Sequence, residues 1–225
     1  MKDGALGALV FARCAGFAFR APGFSHPSVA PPVRAGLALF FTMAVLPGVS
    51  AARMPSGEVA YLVALVTEFL LGSALGMAAS AAYDGAYAGG RAIDDYVGVK
   101  AMAPSVQVVA PSGFGRIWSL AFTGGFFLLG VYRPTIAAFA SSFARVPVAT
   151  PFEASAWLTF VSNVAQTIVV VGAGVAAPAI GLAFVVHVAL GTLSRAVPRF
   201  GSVTLGFPLA FAAALIAVVF ALGAR

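Results

Sequence analysis

Residues 153–195 read EASAWLTFVSNVAQTIVVVGAGVAAPAIGLAFVVHVALGTLSR and contain no acidic or basic residue between Glu153 and Arg195. A helix that crosses a bilayer needs about 20 predominantly apolar residues. This stretch is long enough for two crossings, and Gly172, Gly174 and Pro178 near its middle are residues that often interrupt a helix. We therefore predict a helical hairpin in a membrane over residues 152–195.

The rest of the chain has the same character. Of its 225 residues, 61% are hydrophobic and 9% are charged, whereas soluble domains carry about a quarter charged residues. A chain so poor in charge cannot cover a water-facing surface. Further charge-free runs occupy residues 37–52, 117–132 and 200–224, and the run 59–82 is broken only by Glu68. The composition predicts a protein that passes through a membrane several times.

The apolar residues fall into segments of helical length that proline and glycine separate. Membrane barrels instead need alternating segments of about ten residues, a pattern that this sequence lacks. We predict an all-α fold in one membrane domain, residues 1–225. The predicted helices cover about 6–20, 33–45, 58–82 with a polar continuation to 98, 115–131, 133–147, the hairpin 152–195, and 207–222.

The charge pattern argues against several classes of function. The formal net charge is +6, but the basic residues are single and stand at the ends of apolar runs, as membrane-interface anchors do. Nucleic-acid binders cluster them in polar surroundings, so we predict no nucleic-acid partner. One cysteine and two histidines cannot make a Cys/His zinc set, and we predict neither a metal nor a cofactor.

A ridge of small and acidic residues is the most informative local pattern. Glu68, Gly72, Gly76, Ser80 and Asp84 are each four apart and therefore follow one face of a helix. Small residues at this spacing let two helix backbones approach closely. The ridge predicts either a contact with another subunit or packing within the chain.

A polar cluster follows on the same helical pattern. Asp84, Arg91 and Asp95 share a face, and Arg91 can pair with Asp94 or Asp95 one turn away. Charge in hydrocarbon is costly, so the cluster should face water, a cavity or a partner. Glu68, which stands alone among apolar residues, should be paired or protonated if it lies in lipid.

Two other classes of function remain as alternatives. A secondary transporter would use similar acidic residues, although it would usually show two related halves with broken helices. An intramembrane protease could use Ser73 or Ser80 with His187, but neither serine lies in a Gly-x-Ser-x-Gly elbow. We predict no catalytic residue.

Several stretches resemble, in order and spacing, the FliR family, whose members in virulence injectisomes are called SctT. The early ones are Arg13, Val33-Arg34-Ala35-Gly36-Leu37-Ala38-Leu39, Glu68 with Gly72 and Gly76, and GRAIDDYVG at residues 90–98. The later ones are ALGTLSRAVP at residues 189–198 and LGFPL at residues 205–209, which hold the motif residues Gly191, Arg195, Pro198, Gly206 and Pro208.

This resemblance implies a structural, channel-forming subunit of the flagellar protein-export gate in the bacterial inner membrane, at the flagellar basal body. It implies FliP-like, FliQ-like and FlhB-like partners and unfolded exported proteins as cargo. It also implies that the loop over residues 100–116 helps to plug the closed channel, with Pro104, Pro111 and Phe114 as candidate plug residues. A virulence-type subunit and a small secondary transporter are the alternatives to this function.

Overall fold

A computed structural model of the protein describes residues 2–25, 29–49, 54–98, 113–151, 153–197 and 206–223. The helices are α1 (Lys2–Arg20), α2 (Pro31–Val45), α3 (Glu58–Val97), α4 (Phe114–Leu128), α5 (Tyr132–Arg145), α6 (Ala154–Ala196) and α7 (Gly206–Gly223). A single 3₁₀ turn, Leu46–Gly48, follows α2. The predicted all-α class is confirmed, since the described ranges contain helices and no β-strand.

Local sequence explains where several helices begin and end. Pro31 and Pro32 open α2, where proline loses no helical hydrogen bond and its fixed φ suits the first turn. Gly98 (φ +88°) follows α3 and Gly130 (φ +72°) follows α4. Both adopt the left-handed conformation that commonly ends a helix and that glycine reaches without a Cβ clash. The polar segment after Ala82 continues α3 because no breaker precedes Gly98.

The predicted hairpin over residues 152–195 is wrong, because α6 is one helix of 43 residues. Pro178 lies inside it and does not end it, although an interior proline removes one helical hydrogen bond and crowds the carbonyl of the residue four positions earlier. A reversal of the chain would free many backbone groups at a depth where no water can satisfy them. Gly172 is part of a close helix contact, described below, and does not mark a break.

Three described helices are long and apolar enough to cross a membrane, namely the stretches Pro31–Gly48, Glu58–Val97 and Ser155–Ala196. The number rises to four if α4 and α5, which are bent by 76° at the break between them, form one span. The helix α7 contributes a shorter apolar stretch, Gly206–Phe220. The prediction of a polytopic membrane protein agrees with these lengths.

Residue contacts group the chain into two compact units. The first unit is Met1–Ala81 with Thr123–Ala165, and the second is Ala82–Phe122 with Gln166–Arg225. The helices α3, α4 and α6 each contribute residues to both units without a break in the helix. The single domain 1–225 stays a prediction.

Each unit has its own apolar core. In the first, α1 is central, and Phe17 stacks on Phe139 of α5 with ring centroids 4.1 Å apart while meeting Phe41 of α2 edge-on. In the second, Phe114 and Trp118 of α4 pack among small residues of α6 and α7. Those small residues are Ala176, Ala179, Ala183, Ala210 and Ala214. Small side chains let the helices of the second unit lie close together.

Candidate functional site

A buried ion pair joins α1 to α3 in the first unit. Arg13 Nε donates to Glu68 Oε2 at 2.5 Å, and 0% and 4% of the two side chains are exposed. A buried charge is tolerated when it is paired and hydrogen-bonded, and the pair meets this condition except at Arg13 Nη2, which is buried without a hydrogen-bond partner among the described residues. Glu68 is therefore paired, which is one of the two states predicted for it in lipid, and its partner lies 55 residues earlier in the chain.

The same two side chains also hold the end of α5. Arg13 Nη1 donates to the carbonyl oxygens of Val146 (2.9 Å) and Ser142 (3.4 Å), and its guanidinium lies 4.4 Å from the ring centroid of Phe143. The last carbonyls of a helix have no partner within the helix and carry partial negative charge. The Ser142 carbonyl already accepts the backbone N–H of Val146 at 2.8 Å, so Arg13 shares that carbonyl and adds the hydrogen bond to Val146.

Glu68 also binds the segment that follows α5. Its Oε1 accepts a hydrogen bond from the backbone N–H of Ala149 at 2.9 Å. Ala149 has φ +63°, a left-handed conformation that costs a residue with a Cβ energy. We call Arg13, Glu68, Ser142, Val146 and Ala149 the α1–α3–α5 clamp. The clamp fixes the connection that leaves α5 against α1 and α3.

Glycine makes room for the clamp. A Cβ at Gly72 would collide with the backbone carbonyl of Arg13, and one at Gly76 would lie 3.0 Å from the carbonyl oxygen of Phe17. From the opposite side, a Cβ at Gly16 would meet the backbone of α3 at Phe69. The helices α1 and α3 therefore touch backbone to backbone one turn beyond the ion pair.

These contacts assign part of the predicted subunit-packing ridge to the chain itself. Glu68, Gly72 and Gly76 face α1 of the same chain, which is the intramolecular packing that the sequence left open. Ser80 is buried, and its hydroxyl donates to the carbonyl of Met77 at 3.1 Å. Asp84 is half-buried in the second unit. A contact of Ser80 and Asp84 with another subunit stays a prediction.

A second close contact between backbones joins α3 to α6 in the second unit. A Cβ at Gly85 would lie 2.7 Å from the carbonyl oxygen of Ile168, and one at Gly89 would collide with the carbonyl of Gly172. A Cβ at Gly172 would in turn lie 3.1 Å from the carbonyl oxygen of Gly85. The small-residue spacing that begins at Gly72 thus serves two different helix contacts within the chain.

Asp94 caps the next helix. Its carboxylate accepts hydrogen bonds from the backbone N–H groups of Phe114 (2.9 Å) and Gly115 (3.3 Å), and only 1% of the residue is exposed. These N–H groups are among the four at a helix start that lack a partner within the helix. A Cβ at Gly90 would lie 2.5 Å from the Cα of Gly115. Gly90 and Asp94 therefore fasten the start of α4 to the last turns of α3.

The other members of the polar cluster lie nearby. The Arg91 guanidinium is 6.0 Å from the ring centroid of Tyr87, and Asp95 is exposed. The hydrogen bonds given above show that Asp94 serves the backbone of α4. A pair between Arg91 and either aspartate stays a prediction.

Only one of the candidate plug residues lies in the described part of the chain. Phe114 is 1% exposed and packs against Phe211 of α7 with ring centroids 5.2 Å apart. Pro104 and Pro111 lie outside the described residues. The plug remains a prediction for all three positions.

The motif near the end of the chain is divided between two helices. Gly191 and Arg195 lie exposed on the last turns of α6, and Gly206 and Pro208 lie in the first turn of α7. Pro208 is placed where proline loses no helical hydrogen bond. Pro198 lies outside the described residues.

The described residues do not form a group of three or more His, Cys, Asp or Glu side chains that could hold a metal ion. The ring of His187 lies 5.6 Å from the ring of Tyr96 in the second unit. Ser73 packs at the α1–α3 contact, where its backbone nitrogen would meet a Cβ at Gly16. The predictions of no metal and no catalytic residue remain untested.

Sequence reasoning missed the two most specific polar contacts. It named Arg13 and Glu68 separately, and it placed Asp94 in a cluster with Arg91. An acidic residue on an apolar helix does require a partner, so Glu68 was a signal that one existed. The helix start at Phe114 is preceded by Gly113, which has no side chain to cap α4, and a distant cap could have been sought on that ground.

The helices and polar contacts define a class of protein, an all-α polytopic membrane protein whose buried polar groups hold its own helices together. The chain belongs to the bacterial export proteins, family 1, which match it over residues 5–224. The resemblance to the FliR family is thereby confirmed. The protein is a membrane component of a bacterial export apparatus.

Two relatives carry the name flagellar biosynthetic protein FliR. The protein from Pectobacterium carotovorum subsp. carotovorum is 26% identical over 209 residues, which cover 88% of this chain and 77% of the relative. The protein from Escherichia coli (strain K12) is 27% identical over 193 residues, which cover 84% of this chain and 73% of the relative. The similarity therefore extends over most of both chains.

Proposed function

We propose that this chain is a structural, channel-forming subunit of the flagellar protein-export gate in the bacterial inner membrane. It would pass unfolded substrate proteins across that membrane without performing chemistry on them. The observation that carries the proposal is the family match over residues 5–224 together with two relatives named as flagellar proteins. The partners we propose are FliP-like, FliQ-like and FlhB-like subunits.

The length of α6 supports assembly with other subunits. A helix of 43 residues is about 65 Å long at 1.5 Å per residue, whereas the hydrocarbon core is about 30 Å thick. A straight helix of that length would need a tilt of roughly 60° to remain in hydrocarbon, beyond the usual range of up to about 40°. Part of α6 therefore extends past the hydrocarbon.

The part of α6 that lies outside the hydrocarbon needs other protein against its apolar side chains. Within Ser155–Ala196 the most apolar window of 18 residues has a mean hydropathy of 2.4, and 22% of that window is buried within the chain. Large exposed side chains occur along it, including Leu158, Val170, Phe184 and Val188. Apolar surface that neither lipid nor the chain itself covers is a surface for neighbouring subunits. A gate assembled from several membrane chains supplies such neighbours.

The arrangement around Glu68 does not favour the transporter alternative. A coupling carboxylate must be able to exchange its ion, but both oxygens of Glu68 are occupied, by Arg13 and by the Ala149 N–H.

The closure of the channel by residues 100–116, with Pro104, Pro111 and Phe114 as plug residues, is part of our proposal and rests on the family resemblance. Because Phe114 is enclosed in a core, we propose that it anchors this segment.

Co-expression tests the proposal. The chain, carrying an affinity tag, is expressed with FliP-like and FliQ-like proteins of the same bacterium, extracted in mild detergent and analysed by size and composition. We expect one complex that contains all three proteins. A chain that remains folded but monomeric beside them would contradict the proposal, and uptake of a small solute by the purified chain alone in liposomes would favour the transporter instead.

A further inference from the structure

A groove runs along α5 in the first unit. It has a volume of about 470 Å³, within the range of roughly 300–1,000 Å³ that is usual for sites of small ligands. Its walls are largely apolar and come from α1, α3 and α5. They include Phe17, Leu75, Ala79, Ala138 and Phe139. We call this feature the α5 groove.

Among the described residues that line the α5 groove, the unsatisfied polar group and the positive charge lie at the same end. Ser142 and Arg145 both line it and stand three residues apart, so they lie on one face of α5. The Ser142 hydroxyl is buried and has no hydrogen-bond partner among the described residues, and 7% of the residue is exposed. At the other end, the Thr135 hydroxyl is already satisfied by the carbonyl of Val131 at 2.9 Å.

We propose that the α5 groove binds an anionic phospholipid, with one acyl chain along the apolar walls and its polar end at Ser142 and Arg145. An acyl chain has no hydrogen-bonding group, so it loses no hydrogen bond when it packs against the apolar walls. The phosphate accepts a charge-assisted hydrogen bond from the Arg145 guanidinium. An ester or phosphate oxygen accepts one from the Ser142 hydroxyl, which otherwise remains buried without a partner.

An extended polypeptide is a poorer occupant. It would bring N–H and C=O groups against Phe17, Leu75 and Ala138, which cannot satisfy them, and each unsatisfied group costs free energy. A negative headgroup also complements the charge at Arg145, which stands in the last turn of α5. The proposal does not depend on the function proposed above.

The test uses the purified full-length chain, in its complex where it forms one, after detergent exchange has removed native lipid. Phosphatidylglycerol and phosphatidylcholine with identical acyl chains are added at equal concentration, and the bound lipid is counted by native mass spectrometry. Phosphatidylcholine offers Arg145 the same phosphate but adds a choline cation that the guanidinium repels, so we expect phosphatidylglycerol to bind about tenfold more tightly, a difference of about 1.4 kcal/mol.

Two variants locate the site. Arg145→Gln should bring the ratio of the two lipids close to one, whereas the matched control Arg133→Gln should keep it, since Arg133 is exposed on the same helix but does not line the groove. Ala138→Phe should reduce the binding of both lipids by filling the space. Ala138 is exposed, so the larger side chain does not disturb a packed core.

Three results would overturn the proposal. One is an equal loss of lipid preference in Arg145→Gln and Arg133→Gln. Another is unchanged lipid binding in Ala138→Phe. The third is an apolar helix of a neighbouring subunit in the groove, revealed when Ala138→Cys forms a crosslink to that subunit in good yield while phosphatidylglycerol is absent from the complex.

Discussion

Arg13 and Glu68 are 55 residues apart in the sequence, yet Nε of one and Oε2 of the other are 2.5 Å apart in a site that excludes solvent. Both belong to stretches that resemble the FliR family. The pair ties α1 to α3, and its remaining hydrogen bonds tie both helices to the end of α5. One contact therefore orders three of the helices of the first unit.

Removing one partner of this pair should be more harmful than removing both. Arg13→Met leaves the Glu68 carboxylate buried without a counter-charge, and we expect the free energy of unfolding to fall by about 3–5 kcal/mol. The double variant Arg13→Met with Glu68→Met should recover a large part of the loss. Thermal unfolding of the detergent-solubilised protein measures both effects.

The matched control is Glu153→Gln, because Glu153 is an exposed acid at the start of α6. It should change the unfolding temperature little, because glutamine keeps an acceptor oxygen for the Ser155 hydroxyl, which donates to Glu153 Oε1 at 3.1 Å. If Arg13→Met behaved like Glu153→Gln, the ion pair would have no structural role.

Gly72→Ala should disrupt the α1–α3 contact. The added Cβ would collide with the carbonyl of Arg13, and a backbone atom cannot move aside as the tip of a flexible side chain can. Gly174→Ala is the control, since a Cβ at Gly174 meets no atom of the described residues within 4 Å and alanine favours helix by about 1 kcal/mol. We expect the two substitutions to change the unfolding temperature in opposite directions, and a gain in stability with Gly72→Ala would contradict the contact.

Asp94→Ala should expose the first amides of α4. Loss of a helix cap usually costs about 1 kcal/mol, and hydrogen exchange at the amides of Phe114 and Gly115 should become faster. Asp94→Asn retains an acceptor oxygen and should preserve most of the protection. The neighbouring control, Asp95→Ala, removes an exposed carboxylate and should leave these two amides as protected as before. Equal exchange in Asp94→Ala and the parent would rule out the cap.

Ala149→Gly should stabilise the protein. Ala149 has φ +63°, and a left-handed conformation costs a residue with a Cβ about 1–2 kcal/mol. Glycine removes this cost and keeps the N–H that donates to Glu68. Ala149→Pro should be strongly destabilising, because it removes that donor and cannot adopt a positive φ. The unfolding temperatures of the two variants should lie on opposite sides of the parent, and a loss of stability with glycine would show that the conformation carries no strain.

The sequence predicted most of the helices because apolar length and breakers are local signals. Residues 33–45 and 207–222, for instance, were predicted within two residues of the starts and ends of α2 and α7. The prediction failed for α6, where Gly172 and Pro178 looked like a break. A glycine that ends a helix and a glycine that lets another helix approach look alike in sequence, and only the position of Gly85 and Gly89 distinguishes them.

The contacts of the candidate site could be predicted from the sequence less well than the helices could. The ridge at Glu68, Gly72 and Gly76 was recognised from its spacing, but spacing does not say which helix fills it. Arg13 lies in another helix, and its pairing with Glu68 depends on tertiary structure that spacing does not predict. Closeness in sequence groups Asp94 with Arg91, whereas the observed partners of Asp94 are 20 and 21 residues further along.

The ion pair also imposes a condition on how the protein is made. An arginine at the centre of a lone apolar helix costs about 2.5–3.5 kcal/mol on insertion, and the ribosome synthesises Arg13 long before the carboxylate that neutralises it. If α1 entered lipid before Glu68 was made, Arg13 would be there without its counter-charge. The 55 residues between the two side chains therefore set how much more chain must be synthesised before the charge of Arg13 can be neutralised.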